Sequence, residues 1–158
     1  MAINPATQDA SVYEALYLGF RVDKAAASLP QTAATDYFTI SGGRVLLTMI
    51  LGEVTTLIQT QANATKLTYN PTDAGATQDL CATLDITADA VGVMYHISGT
   101  PADALRDNLN FGRGTLFAAP LILKPGTIAL DCAASNTGAT KWSLWYIPLE
   151  AGASVATA

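Results

Sequence analysis

The chain has 158 residues, half of them apolar, with only 13% charged and a formal net charge of −5. That length and apolar content provide for one domain with a full core, and the eight Lys and Arg are scattered, which excludes the aimed cationic cluster that nucleic-acid binding needs. Against the ~25% charge usual in soluble domains, so bare a surface predicts that part of it is covered by other protein.

No apolar run approaches the ~20 residues of a membrane helix, since the segment from Val45 to Ile58 is broken by Gly52 and Glu53. No membrane partner is expected. Asp9 and Glu14 lie where a secretory signal would be basic and then apolar, which predicts synthesis in the cytosol without export by that route. In a reducing compartment Cys81 and Cys132, in the echoing contexts DLCATLD and LDCAASN, are expected as buried free thiols. A disulfide would require their Cα atoms to approach within about 7 Å.

In chain order, residues 1–18 read as an extended arm whose Tyr13 and Tyr17 suit a neighbouring protein better than solvent. Ala25, Ala26 and Ala27 favour helix, which Pro30 ends within a turn or two, and residues 31–35 read as a small-residue loop. Tyr37, Phe38 and Ile40 form a short strand, and Ser41, Gly42 and Gly43 turn it into the longest apolar run, an arrangement that predicts a hairpin. That run, GGRVLLTMILGEVTTLIQ, is apolar on both parities in its first half, so both of its faces need cover. From Glu53 one parity reads Glu53, Thr55, Leu57, Gln59 and is the wetter. The run is therefore one long strand, or two strands meeting at a bend near Gly52.

Leu67 and Tyr69 alternate with Lys66 and Thr68 before the turn residues NPTDAG, and DLCATLDI follows as another strand. Asn63, Ala64 and Thr65 match a glycosylation sequon that is inert without export. Val91, Val93, Tyr95 and Ile97 alternate as a half-buried strand. Thr100 as cap, Pro101 at the first helical position and Asp103 in the first turn predict one short helix over ADALRDNLN. FGRGT lacks the lysine and length of a phosphate loop and reads as a connection. Leu116 to Leu123 and Ile128 to Cys132, joined by Pro125 and Gly126, predict a second hairpin. The last strand, KWSLWYIP, sets Trp142, Leu144 and Tyr146 on one face and Trp145 and Ile147 on the other, so it is central or meets a second subunit. Residues 150–158 read as a flexible tail. Eight to ten short strands at roughly ten-residue spacing predict an all-β sandwich, barrel or jelly roll.

No catalytic constellation is legible. The lone histidine, His96, sits mid-strand, and Asp79 and Asp85 flank a strand about 20 Å apart at 3.3 Å per residue, beyond the reach of a carboxylate pair. Asp85 and Asp89 bracket a turn and form the one candidate place for a shared cation. Neither enzyme activity, nor a cofactor, nor a metal is expected.

The stretches GGRVLLTMILGEVTTLIQTQ, NPTDAG, DLCATLDITADAVGVMYHISG and LDCAASNTGATKWSLWYIPLEAGA resemble a group of tailed-bacteriophage virion proteins of about this size, over roughly Thr39 to Ala153. The resemblance implies an antiparallel jelly-roll β-sandwich over residues 19–149 and the role of a head decoration, or cement, protein. Such a protein sits on the outer capsid surface of the virion at threefold and quasi-threefold positions, commonly as a homotrimer. There it clamps the major capsid protein against internal DNA pressure. A phage tail or baseplate sandwich binding host-surface carbohydrate is the alternative. Candidate partner-binding residues are Tyr13 and Tyr17 in the arm, Glu53, Thr55 and Gln59 on the wetter half of the long strand, and Trp142 and Trp145 in the last strand.

Overall fold

The computed structural model describes residues 17–109 and 120–158. Twelve strands are formed among them: β1 (Phe20–Ser28), β2 (Gln31–Ser41), β3 (Val45–Thr56), β4 (Ala64–Pro71), β5 (Gln78–Asp79), β6 (Leu84–Asp85), β7 (Val93–His96), β8 (Arg106–Leu109), β9 (Leu121–Leu123), β10 (Gly126–Ser135), β11 (Ala139–Pro148) and β12 (Ser154–Thr157). They build two antiparallel sheets packed face to face. One runs β1-β11-β3-β7-β8 with β9 against the start of β3, and the other runs β12-β2-β10-β4-β5 with β6 against the start of β4. The fold is all-β, as the strand spacing predicts.

Burial explains the layering. Val45, Leu47, Ile50 and Val54 of β3 and Trp142, Leu144 and Tyr146 of β11 face Phe38, Ile40, Leu67, Ile128 and Leu130 of the other sheet, all within one core. Removing such side chains from water contributes roughly 1.5–3 kcal/mol each. The long run is a single strand of 12 residues and does not bend at Gly52. Its two apolar parities are reconciled by a bulge. Trp145 pairs with Met49 and Tyr146 with Leu47, so Thr48 is the extra residue and the inward parity shifts from Leu47 to Ile50. A second bulge places Tyr37 between the Phe38–Ile128 and Asp36–Ala129 pairs, and both aromatic rings are buried. β11 lies between β1 and β3, with Trp142, Leu144 and Tyr146 in the core and Trp145, on the other face, under the Arg21 guanidinium.

Both predicted hairpins are corrected. β2 and β3 lie in different sheets, as do β9 and β10, so each turn is an arch from one sheet to the other. At the first arch Gly42 has φ +73, and a Cβ there would stand 2.1 Å from the Gly152 carbonyl oxygen, because a second arch packs directly on it. Residues 31–35 are the start of β2 and not a loop. They pair with β10, and the β propensity of their threonines outweighs the alanines. The Ala25–Ala27 stretch likewise lies in β1, at a bulge against β11.

No helix forms over residues 102–109. Leu105 is drawn into the core by a parallel bridge between Ala82 and Ala104, and residues 106–109 pair with β7, which satisfies backbone groups that a short helix would leave open. The tail is corrected too. β12 pairs with β2, and Ala153 and Val155 are buried, which gives the segment its own apolar contribution to the core. The arm prediction for residues 1–16, including Tyr13, and the FGRGT connection lie outside the described residues.

Candidate functional site

Strand direction sorts eight of the described connections to one of two ends. Residues 29–30, 57–63, 86–92 and 136–138 join strands at the first end, and residues 42–44, 72–77, 124–125 and 149–153 join them at the second. The sequence candidates do not gather into one site. Trp142 is 1% exposed, stacked on Tyr95 with ring centroids 6.2 Å apart and set edge-on to Tyr37, so it is a core residue and not a contact residue. Its indole N–H donates to Thr140 Oγ1. Trp145 faces the other way but is also buried, beneath the Arg21 guanidinium at 5.1 Å. The alternation that separates the two rings is legible in sequence, and their shared burial is not, because it depends on neighbours in β1 and β3.

Tyr17 is 69% exposed just before β1. Glu53 and Thr55 lie together on the outer face of β3, half-buried and engaged. Glu53 pairs with Lys141 at 2.8 Å, and the Thr55 hydroxyl donates to the Ala139 carbonyl. Gln59 stands apart at the first end. Its N–H donates to the Thr137 carbonyl and its Oε1 accepts from the Thr137 N–H, while Asn136 Nδ2 donates to the carbonyls of Gln59 and Gln61.

Asn63 explains itself structurally. Fully buried, it pairs through both amide atoms with the Ala134 backbone, so the sequon nitrogen faces no solvent. Asp85 and Asp89 do not face a common point. Asp85 accepts from the Thr87 hydroxyl and from the N–H groups of Asn63 and Thr87, and these bonds hold its carboxyl below the ordinary value. Asp89 accepts from the Tyr95 hydroxyl. Burial raises the Asp89 pKa, Tyr95 opposes that, and the charges of Asp107 and Asp85 push it further up.

His96, expected mid-strand, is the last residue of β7, buried opposite Leu51. It borders a cleft of about 330 Å³ that Leu105, Arg106, Asp107 and Asn108 also line. The thiols of Cys81 and Cys132 are free and buried, and burial pushes that of Cys81 up to about 11, so it stays protonated at neutral pH. Among the described residues no group of three His, Cys, Asp or Glu is placed to hold a metal ion, and no helix is long and apolar enough to cross a membrane.

What the sequence reading misses is a set of exposed aliphatic side chains at the first end. Leu57 is 59% exposed, Val91 57% and Leu109 55%. They stand just past the end of β3, just before β7 and at the end of β8, three adjoining strands. The signal was present for Leu57, the one large aliphatic on the wetter parity of its run. Comparison of the chain with protein-family models, with curated proteins and with solved structures yields no match.

Proposed function

We propose that this chain is a structural virion protein of a tailed bacteriophage, a head decoration protein that binds the outer surface of the major capsid protein shell. The observation that carries the reading is the strand order. The cores of the two sheets, β1-β11-β3-β7 and β2-β10-β4-β5, interleave so that consecutive long strands cross between sheets. This interleaving supports the jelly roll, an architecture used by viral capsid and lectin domains. The resemblance in sequence and the low surface charge favour the capsid branch of that pair. Repeated modest contacts, multiplied by a trimer on a symmetric shell, hold by avidity and need no deep pocket.

The carbohydrate-binding alternative calls for exposed rings beside polar groups, and the burial of Trp142 and Trp145 counts against it. The test is uptake by heads purified from phage lacking this protein. Bound material at threefold and quasi-threefold positions in negative-stain images is expected, with a trimer in sedimentation. Heads that take up none refute the proposal.

A further inference from the structure

We infer that the first end of the sandwich, centred on Leu57 and Val91, is the surface that seats on the shell, and that it fits an aliphatic recess rimmed by Lys and Arg. This rests on the decoration reading for the identity of the partner; the chemistry of the surface is argued from the fold alone.

Three observations converge. First, the aliphatic side chains are presented on a fixed backbone. Ile58 N–H donates to the Asp89 carbonyl at 3.1 Å and Gly92 N–H to the Val54 carbonyl at 3.0 Å, so the segments carrying Leu57 and Val91 are laced together. Ala88 N–H and Asn136 Nδ2 both donate to the Gln59 carbonyl. Side chains projected from such a lattice lose little further freedom on binding. Single exposed aliphatics are ordinary, but grouped ones mark contact surfaces.

Second, charge is segregated between the ends. Among the described residues, the connections at the first end contain no Lys or Arg, and Asp85, Asp89 and Asp107 lie close enough for the latter's and Asp85's charges to act on Asp89. The second end carries both signs, in the pairs Arg44–Glu150 and Lys124–Asp73. Lys141, near this end in β11, is paired with Glu53, and an aliphatic centre whose described connections carry carboxylates and no cation is complementary to a basic-rimmed recess.

Third, the sheet edges are closed to partners. β1 is bulged and carries Arg21, Asp23 and Lys24, while β5, β6 and β8 are two to four residues long. Lys24 Nζ reaches over the Tyr37 ring to the Ala158 carbonyl and ties β1 to the β12 side of the sandwich.

The experiment measures uptake of the full chain by undecorated heads, comparing wild type with Leu57→Ser, Val91→Ser and the double variant. Phe20→Ser and Ile122→Ser, exposed apolar positions away from this end, are the controls. Melting temperatures of the free proteins establish that all are folded. Each first-end substitution is expected to weaken uptake about tenfold or more, from loss of one buried aliphatic, while the controls stay within about threefold of wild type. Uptake of wild type is expected to weaken as salt shortens the screening length. Wild-type-like uptake by the double variant overturns the inference and leaves the decoration reading standing. Loss in the controls instead, or dissociation of the free oligomer by the double variant, also overturns it. No uptake by wild type removes both.

Discussion

Gly52 sits in the middle of β3, where a glycine costs conformational entropy and packs no side chain. Its neighbour explains it. Gly52 pairs with Trp142, and a Cβ built on Gly52 would lie 2.7–2.8 Å from three atoms of the Trp142 ring, well inside the ~3.5–4.0 Å of favourable carbon contact. The ring cannot yield, since Tyr95 stacks on one side, Tyr37 stands edge-on and the indole N–H is bonded to Thr140 at 3.0 Å. Gly52→Ala therefore overpacks the core at a cost of about 1–3 kcal/mol, a fall in Tm of roughly 2–12 °C for a domain of this size. Thermal melts followed by tryptophan fluorescence measure the loss and report any displacement of the indole. Trp142→Phe, which removes the crowded ring atoms, should cost less in the Gly52→Ala background than alone, a coupling readable in a double-mutant cycle. A Gly52→Ala protein that melts and fluoresces like wild type would refute the reasoning, and Gly52 would then be an ordinary strand residue.

Two further outcomes follow from the packing and the charges. Val155→Ser removes a 93%-hidden contact between β12 and the core, Val155 being 7% exposed, and should lower Tm by the equivalent of roughly 1.5–3 kcal/mol; an unchanged melt would mean that β12 adds nothing. The pH dependence has opposite signs at two carboxylates. The pKa of Asp89 is raised above 3.8, so its favourable contribution is present below that value and is lost as pH rises through the folded pKa. Asp89→Asn should thus melt higher than wild type at neutral pH, with the gap closing in acid. The pKa of Glu150 is lowered below 4.5 by the Arg44 N–H and guanidinium, so its contribution is present above 4.5 and is lost as pH falls through the folded pKa. Glu150→Gln should melt lower than wild type at neutral pH and converge with it in acid, and gaps of the same sign for both variants would contradict the assignment.

The legible part of the fold was local. Alternation along Val93–Ile97 and the double apolar face of Lys141–Pro148 each follow from the two-residue period of a strand; the structure places the second as a central strand, while in β7 His96, on the parity expected to be wet, is buried as well. Partner choice was not local. Gly42 and Gly43 announce a sharp reversal, but whether the chain re-enters the same sheet or crosses to the facing one is decided by what β10 and β11 offer, roughly a hundred residues later. Bulges are equally hidden, because Thr48 and Tyr37 look like any other strand residue until their pairing partners are known. The burial of Trp142 and Trp145 was hidden for the same reason. Of the aromatic candidates, Trp142 is consumed by the core while Tyr17 stays exposed, and the aliphatic Leu57, Val91 and Leu109 are exposed at strand ends.

Arch connections have a consequence for how such a surface can arise. When successive strands cross between sheets, the connections collect at two ends separated by the length of the strands, and each end can be held together by different chemistry. At the second end, charged side chains clasp neighbouring arches, as Glu150 does with the Arg44 backbone and guanidinium, and exposed pairs of this kind contribute little stability. At the first end neutral amides share the work with one carboxylate, that of Asp85, which accepts from the N–H groups of Asn63 and Thr87. Asn136, Gln59 and Asn63 bridge backbone groups of separate loops. Among the described residues this lattice fixes the loops without cations, which spares a docking surface the desolvation cost of buried ion pairs. The aliphatic side chains carried by that lattice are then free to meet a partner, and charge at the margin is left to set orientation and encounter rate.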